Sequence, residues 1–374
     1  MAGLYIHIPF CNEKCTYCDF FSGNQLYLID SYVDALCQEL DYRDTYLVNR
    51  RLDTIYFGGG TPSILKKSHL EKILNTIAVR YVIDSSTEIT LECNPENIDE
   101  FFLQNLFEIG INRISLGVQF LDDKVLASFN RKHSKELIIK SLELIKYSKF
   151  TNLSVDIIYA VPGIDVNFLL NTLEILSDYD IKHFSAYSLT IAKNSQLFWK
   201  IGKGEFIESF ENEFINQYLI VNNYLSSKGY IQYEISNYAK DGFLSKHNLA
   251  YWNQVPYLGI GVSAHSFNTF SRQWNHSNIK RYIREMRDGL LNFELENLDS
   301  NQIYNEYIIL KLRTLQGASV SYIRDNFNQN VFAHFEKNLD KLINLGHFIR
   351  EDDFFIPKQS DLLIADYLAK NLMI

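Results

Sequence analysis

Along the first half of the chain, short runs of apolar and β-branched residues alternate with longer stretches in which apolar positions recur every three to four residues. The pattern predicts strands at Leu4–Ile8, Thr54–Phe57, Glu88–Glu92, Arg113–Val118, Ser154–Ile158 and His183–Leu189. Between them it predicts helices near Ile29–Tyr42, Leu70–Tyr81, Glu100–Ile109, Lys135–Tyr147 and Asn167–Leu176. A helical crossover between successive strands makes them parallel, so this half reads as an α/β unit. Six βα units fall short of the eight that close a barrel. An incomplete barrel and a doubly wound sheet both fit, and either places ligands at the carboxyl ends of the strands.

After about residue 195 the rhythm changes. An amphipathic helix is expected near Glu211–Leu225, followed by a Gly- and aromatic-rich stretch from Gly229 to Phe267 that reads as an irregular connector. From about Ser300 the pattern is helical, at Gln302–Leu315, Tyr322–Phe327 and Val331–Leu345. Two strand-like pieces follow, His347–Arg350 and Phe354–Pro357, and then a last helix. That succession resembles a winged-helix module. Its third helix balances Glu336 and Asp340 against Lys337 and Lys341, without the basic face that phosphate contacts need, so it reads as a packing or protein-binding element. The expected organisation is a barrel-like domain over 1–228, a connector over 229–299 and an α-rich, winged-helix-like domain over 300–374.

Composition narrows the function classes. With 47% hydrophobic and 22% charged residues the chain can bury a real core, and its net charge of −9 argues against a broad nucleic-acid footprint. No apolar run approaches the roughly 18 residues that span a bilayer. The first strand begins at once, leaving no room for a targeting peptide. Five cysteines, an odd and clustered set, do not look like a disulfide framework, and a reducing cytoplasm fits them best.

Three of those cysteines, Cys11, Cys15 and Cys18, form a Cys-x3-Cys-x2-Cys run directly after the first strand. Three thiolates within eight residues can converge on one metal centre. Zinc would want a fourth ligand, for which His7 stands nearby. A four-iron cluster normally takes four thiolates, and with three it keeps one iron open to a substrate. Three unrelated buried thiols are the bland alternative. Cys37 and Cys93 read as small buried residues. The triplet Gly58-Gly59-Gly60 with Thr61 follows the second strand and lets the backbone approach a ligand closely, although alone it would be an ordinary turn. Glu92, Gln119, Arg131 and Asp156 sit at or near strand ends, where internal Arg131–Glu92 or Arg131–Asp156 ion pairs are the structural alternative to ligand contact.

The run from Tyr5 to Cys18, Tyr-Ile-His-Ile-Pro-Phe-Cys-Asn-Glu-Lys-Cys-Thr-Tyr-Cys, resembles the signature of radical S-adenosylmethionine (SAM) proteins, in the branch that includes oxygen-independent coproporphyrinogen III oxidases. The resemblance implies an incomplete (β/α)6 radical-SAM barrel with an α-rich, winged-helix-like C-terminal domain. It implies a [4Fe-4S] cluster on Cys11, Cys15 and Cys18, with SAM chelating the fourth iron through its amino and carboxylate groups. It further implies that the Gly-Gly-Gly-Thr-Pro loop holds the SAM amino group, that Glu92 and Asp156 accept ribose or amine hydrogens, that Gln119 bridges polar groups and that Arg131 offers its fork to the carboxylate. Tyr5 and Tyr17 would line the cofactor face.

Two branches share these features. In the oxidases a fourth cysteine lies two residues after the third, where this chain has Asp19 and Phe20, and an N-terminal extension covers the substrate, where this chain begins three residues before Leu4. The run His247-Asn248-Leu249-Ala250-Tyr251-Trp252 resembles instead the His-Asn-x-x-Tyr-Trp motif of heme chaperones. By itself this run reads as a packed aromatic loop; the resemblance implies that a histidine among aromatic rings serves heme, with His247 the expected axial ligand and His265 its local competitor. The resemblance is weakest at the end, where Ile356-Pro357-Lys358-Gln359 replaces the family's Leu-Thr-x-x-Gly. The reading is a cytoplasmic heme chaperone carrying a [4Fe-4S] cluster, SAM and heme, handing heme to an acceptor protein and binding no nucleic acid. Peripheral contact with membrane-bound acceptors and a homodimer stay open. The alternative is oxidative decarboxylation of coproporphyrinogen III.

Overall fold

Six parallel strands, β1 (Gly3–Ile8), β2 (Thr54–Gly59), β3 (Glu88–Cys93), β4 (Arg113–Gln119), β5 (Leu153–Tyr159) and β6 (His183–Ser188), lie side by side in chain order in a computed structural model of the protein. The structure describes residues 1–162, 164–193, 195–204 and 211–374. The crossovers run through α1 (Ile29–Tyr42), α2 (Lys67–Arg80), α3 (Glu100–Glu108), α4 (Asp123–Ser128), α5 (Lys135–Lys146) and α6 (Val166–Ser177). The sheet stays open, since β1 and β6 pair with other neighbours and not with each other.

Because side chains alternate across a strand, each strand divides its residues between two faces. One face carries Ile6, Ile55, Leu91, Leu116, Val155 and Phe184, all fully buried. Each such side chain contributes roughly 1.5–3 kcal/mol by leaving water. The other parity carries Tyr5, Tyr56, Glu92, Ser115, Asp156 and Ser185, brought into register by the pairs Tyr5↔Tyr56, Glu92↔Ser115 and Asp156↔Ser185. This inner face is polar, and the candidate chemistry stands on it.

Helices α7 (Gln196–Gly202) and α8 (Glu211–Ser227) follow β6. The stretch that reads as an irregular connector is made of short strands and one helix. Strands β7 (Ile231–Gln232) and β8 (Asn237–Ala239) extend the sheet beyond β6, and after α9 (Lys246–Trp252) the strand β9 (Tyr257–Ile260) adds in parallel to β1. Strands β10 (His265–Phe267), β11 (Ser271–Asn275) and, after α10 (Ile279–Arg287), β12 (Phe293–Asn297) complete that end. These strands are two to five residues long. Runs so short leave little periodicity to read.

Glu39 of α1, fully buried, locks this second half onto the first. It accepts hydrogen bonds from the Gly261 amide (2.8 Å), the Tyr282 hydroxyl (2.6 Å), the Asn275 amide group (2.7 Å) and Arg43 (3.3 Å). The Tyr32 hydroxyl donates to the His7 carbonyl (2.8 Å) and accepts from the Val262 amide (2.9 Å). Gly261 has φ +96°, and a Cβ there would stand 2.4 Å from the Tyr32 hydroxyl, so the turn admits only glycine.

A second hydrophobic core, from Tyr304 to Leu372, belongs to α11 (Ser300–Leu312), β13 (Ala318–Ser319), α12 (Val320–Asn326), α13 (Gln329–Asn344), β14 (Phe348–Glu351), β15 (Phe354–Pro357) and α14 (Ala365–Leu372). The order helix, strand, helix, helix, strand, strand is the one expected of a winged-helix module, with a small sheet ordered β13-β15-β14.

Because Glu39 is buried and held by four donors, its removal leaves Arg43 buried without its carboxylate partner. We expect Glu39→Ala to cost about 3–5 kcal/mol of unfolding free energy by urea denaturation; a loss below about 1 kcal/mol would show that the two halves are held together elsewhere.

Candidate functional site

At the carboxyl ends of β1–β6 the loops and the inner face enclose a cavity of about 520 Å³. Cys11, Cys15 and Cys18 lie on its wall, and with them Tyr17, Gly59, Gly60, Thr61, Glu92, Gln119, Arg131 and Asp156. Most of the residues singled out from the sequence therefore meet in one place. Tyr5, Gly58 and His247 are not on the wall.

The cysteine loop is pinned from both sides. The Cys11 amide donates to the Gly23 carbonyl (2.9 Å), the Thr16 amide to the Phe129 carbonyl (3.2 Å), and the Leu197 amide of α7 to the Thr16 carbonyl (2.8 Å). His7 lies beneath it, its Nδ1 facing the Tyr5 hydroxyl (3.1 Å) and its Nε2 the Phe21 carbonyl (2.9 Å). With both nitrogens engaged, His7 does not offer itself as a fourth zinc ligand. The three cysteines are free thiols, half-buried, and among the described residues no group of three His, Cys, Asp or Glu closes tightly enough to hold a single metal ion. Burial pushes the Cys15 and Cys18 thiols above their ordinary range, with Arg131 opposing it at Cys15. Iron must therefore displace protons to bind.

The glycine loop has a structural reason beyond ligand approach. Its Gly60 amide donates to the Ile8 carbonyl (2.8 Å) and its Thr61 amide to the Phe10 carbonyl (2.8 Å). A Cβ at Gly60 would meet the Phe10 carbonyl at 2.7 Å, and one at Gly59, where φ is +115°, would strike the His7 ring at 2.5 Å. The loop is bare because it lies directly on the chain entering the cysteine run.

From there a polar chain crosses the cavity. The Thr61 hydroxyl donates to Cys11 Sγ (3.4 Å) and accepts from Asn94 Nδ2 (3.4 Å), while Asn94 Oδ1 accepts from Arg131 Nη1 (3.2 Å). Arg131 Nη2 also donates to the Tyr17 hydroxyl (2.5 Å). The Arg131–Glu92 and Arg131–Asp156 ion pairs weighed as alternatives do not form among the described residues; tyrosine and asparagine orient the guanidinium and leave its charge for a ligand. Gln119 occupies a β-bulge at φ +64°, where the register with β5 slips between Gly117 and Gln119. Such bulges re-aim a side chain at the rim of a sheet.

Deeper on the inner face, Glu92 accepts from the Tyr56 hydroxyl (2.8 Å) and the Gly59 amide (3.1 Å), and Asp156 accepts from the Ser115 hydroxyl (3.2 Å). Burial first, and the neighbouring Asp156 carboxylate second, push Glu92 up to about 7. Burial likewise raises Asp156. Arg113, fully buried and with an unpartnered Nε, supplies the positive charge that opposes both shifts. Sequence reasoning missed Asn94, Tyr56 and Arg113. Of these Arg113 had a signal, an arginine opening an otherwise apolar strand.

His247 lies elsewhere. On α9 it plugs the inner face at the amino ends of the strands, its Nδ1 against the Thr54 hydroxyl (2.8 Å) and its Nε2 against the Tyr251 hydroxyl (2.9 Å). Its ring stacks on Tyr56 at 4.9 Å and on Tyr5 at 6.4 Å. Burial, with the Arg113 cation second, pushes it down to about 3. An axial ligand needs a free nitrogen lone pair, and here both nitrogens face hydroxyls. The expected heme ligand is thus a buried packing residue in this structure.

The Glu92 geometry makes a pH prediction. The folded chain holds that proton up to about pH 7, whereas an unfolded glutamate releases it near 4.3, so this carboxyl's effect is to lower stability as pH rises through that window. Glu92→Gln removes the effect. Its melting temperature relative to wild type should rise by at least about 2 °C between pH 5 and pH 8; an unchanged difference would mean that Glu92 ionises freely.

Comparison with known proteins adds the following. A family model described as the radical SAM superfamily matches residues 5–176. The heme chaperone HemW of Bacillus subtilis (strain 168) is 31% identical over 353 residues, covering 92% of this chain and 92% of that protein. The heme chaperone HemW of Lactococcus lactis subsp. lactis (strain IL1403) is 30% identical over 345 residues, covering 91% and 89%. Among solved structures, the coproporphyrinogen III oxidase HemN of Escherichia coli, described as a radical SAM enzyme, superposes with a TM-score of 0.84 at 22% identity, over 100% of this chain and 90% of that one.

Proposed function

This chain belongs to the HemW family of heme chaperones within the radical SAM superfamily, and we propose from that premise that it binds heme and passes it to an acceptor protein, carrying a [4Fe-4S] cluster and SAM as resident groups. The observation that carries the reading is the meeting of three free cysteines with Glu92, Gln119, Arg131 and Asp156 on one cavity wall, in a chain similar to heme chaperones along nearly its whole length.

Cys11, Cys15 and Cys18 would hold the cluster, whose open iron would take SAM. When bound, those groups supply one-electron chemistry. The protein's own part is positioning. Tyr17 and Asn94 hold the Arg131 fork toward the cavity, where it suits a carboxylate. Glu92 and Asp156 offer acceptors to ribose or amine hydrogens, and the Thr61 hydroxyl steadies Cys11. The five unpaired cysteines support cytoplasmic residence. Contact with a membrane-bound acceptor would be peripheral, since no helix among the described residues is long and apolar enough to cross a membrane. A homodimer is a compatible arrangement.

The runner-up, oxygen-independent coproporphyrinogen III oxidation, has the shared fold in its favour. Against it stand Asp19 and Phe20 where the oxidase pattern places a further cysteine.

The test is an anaerobic heme titration of protein with reconstituted cluster, followed by absorbance, beside an assay with coproporphyrinogen III. We expect stoichiometric heme binding and no protoporphyrinogen IX; absence of heme binding in every cluster state would remove the chaperone reading, and product formation would install the oxidase. Cys15→Ala should lose the iron and the cluster's visible absorbance while keeping the wild-type far-ultraviolet circular dichroism; full iron content in that variant would contradict the ligand assignment.

A further inference from the structure

An imidazole can bind heme iron only through a nitrogen lone pair that the macrocycle can reach. The chain has nine histidines, and their surroundings eliminate most of them. His7, His183 and His247 are buried with both ring nitrogens in hydrogen-bond contact, the last two with hydroxyls on either side. His69 is held by Asp30 and the Lys66 amide, and His334 by the Met373 carbonyl and Asn338. His133 is buried against Glu96. His276 and His347 have a carboxylate on Nδ1, from Glu294 and Asp361, which leaves Nε2 open, but both side chains are half-buried.

His265 alone is solvent-exposed with neither ring nitrogen in a hydrogen bond or ion pair among the described residues. It opens β10 directly opposite Trp274 of β11, and the two rings stack at 5.7 Å with an interplanar angle of 24°. The indole stacks on the imidazole while the His265 side chain stays exposed. The backbone beneath is fixed. The Ala264 amide donates to the Gly261 carbonyl (3.1 Å), the Asn275 amide to the Ala264 carbonyl (3.0 Å), and the Ser266 hydroxyl spans to the Gly259 amide (2.9 Å). Gly259 is bare because a Cβ there would lie 2.0 Å from the His265 carbonyl. The Glu39 and Tyr32 contacts hold the turn before it. Partial burial, with the Arg272 cation second, keeps the ring below the usual histidine range, so at neutral pH it is uncharged and its lone pair is available.

We propose that His265, which opens β10 of the β10–β11 hairpin, is the imidazole that ligates heme iron, and that His247 is a structural plug; the inference rests on the heme-chaperone reading. An axial imidazole stands upright on the macrocycle. The heme would therefore lie across the exposed edge of the His265–Trp274 stack, with the indole edge supplying apolar contact beside the iron.

The experiment titrates ferric heme into the full-length protein, wild type, His265→Ala and His247→Gln, reading affinity and the Soret band. Thermal melting serves as the control for folding, which His265→Ala should leave unchanged because the side chain is exposed. We expect His265→Ala to bind heme at least tenfold more weakly and to lose the imidazole-ligated Soret band, and added imidazole to restore that band. His247→Gln should melt earlier and, below its melting temperature, keep the wild-type Soret band. A His265→Ala protein with wild-type affinity and spectrum overturns the assignment and leaves the chaperone reading standing. A wild type that binds no heme in any cluster state removes that reading, and the assignment with it.

Discussion

A strand has two faces, and a run of parallel strands must cover both. Here the outer parity is apolar and packs on the crossover helices, while the inner parity of β1–β6 carries hydroxyls, carboxylates and one arginine. Burying such a face is costly unless its groups satisfy one another. Tyr56 and Gly59 serve Glu92, Ser115 serves Asp156, and Arg113 balances the two carboxylates. Burial and the neighbouring Asp156 nonetheless keep Glu92 raised, so a cationic, hydrogen-donating molecule would suit this face.

The loops above this face are built to keep their places. Gly59 and Gly60 lie against His7, Ile8 and Phe10, the segment that leads into the cysteine run, so the glycine loop and the entry to the cysteine loop pack as one. Tyr32 and Glu39 extend the same rigidity sideways, joining the end of β1 to the turn between β9 and β10 through hydrogen bonds that no solvent can replace. The cysteine loop and the β10–β11 hairpin thus grow from opposite sides of one buried knot.

Much of this was legible. Buried parallel strands appear as apolar runs at helical intervals, which is why β1–β6 and their crossovers emerged from periodicity, and Cys11, Cys15 and Cys18 announced themselves by spacing. The strands between 231 and 297 did not, because runs of two to five residues carry too few alternations to stand out. Glu92, Gln119, Arg131 and Asp156 were found through resemblance more than through pattern. Asn94 was missed because an asparagine before a proline looks like any turn. His247 was singled out through resemblance, and the structure buries it between Thr54 and Tyr251 against the rings of Tyr56 and Tyr5.

The two ends of the twelve-stranded sheet are a hazard of a different kind. An open sheet presents unpaired backbone at each margin, an invitation to join another sheet edge to edge. One margin is β7, only two residues long. The other is β12, Phe-Glu-Leu-Glu-Asn, whose exposed glutamates Glu294 and Glu296 would repel the same strand of a second molecule. Brevity at one margin and like charge at the other disfavour edge-to-edge joining of so long a sheet, without closing it into a ring.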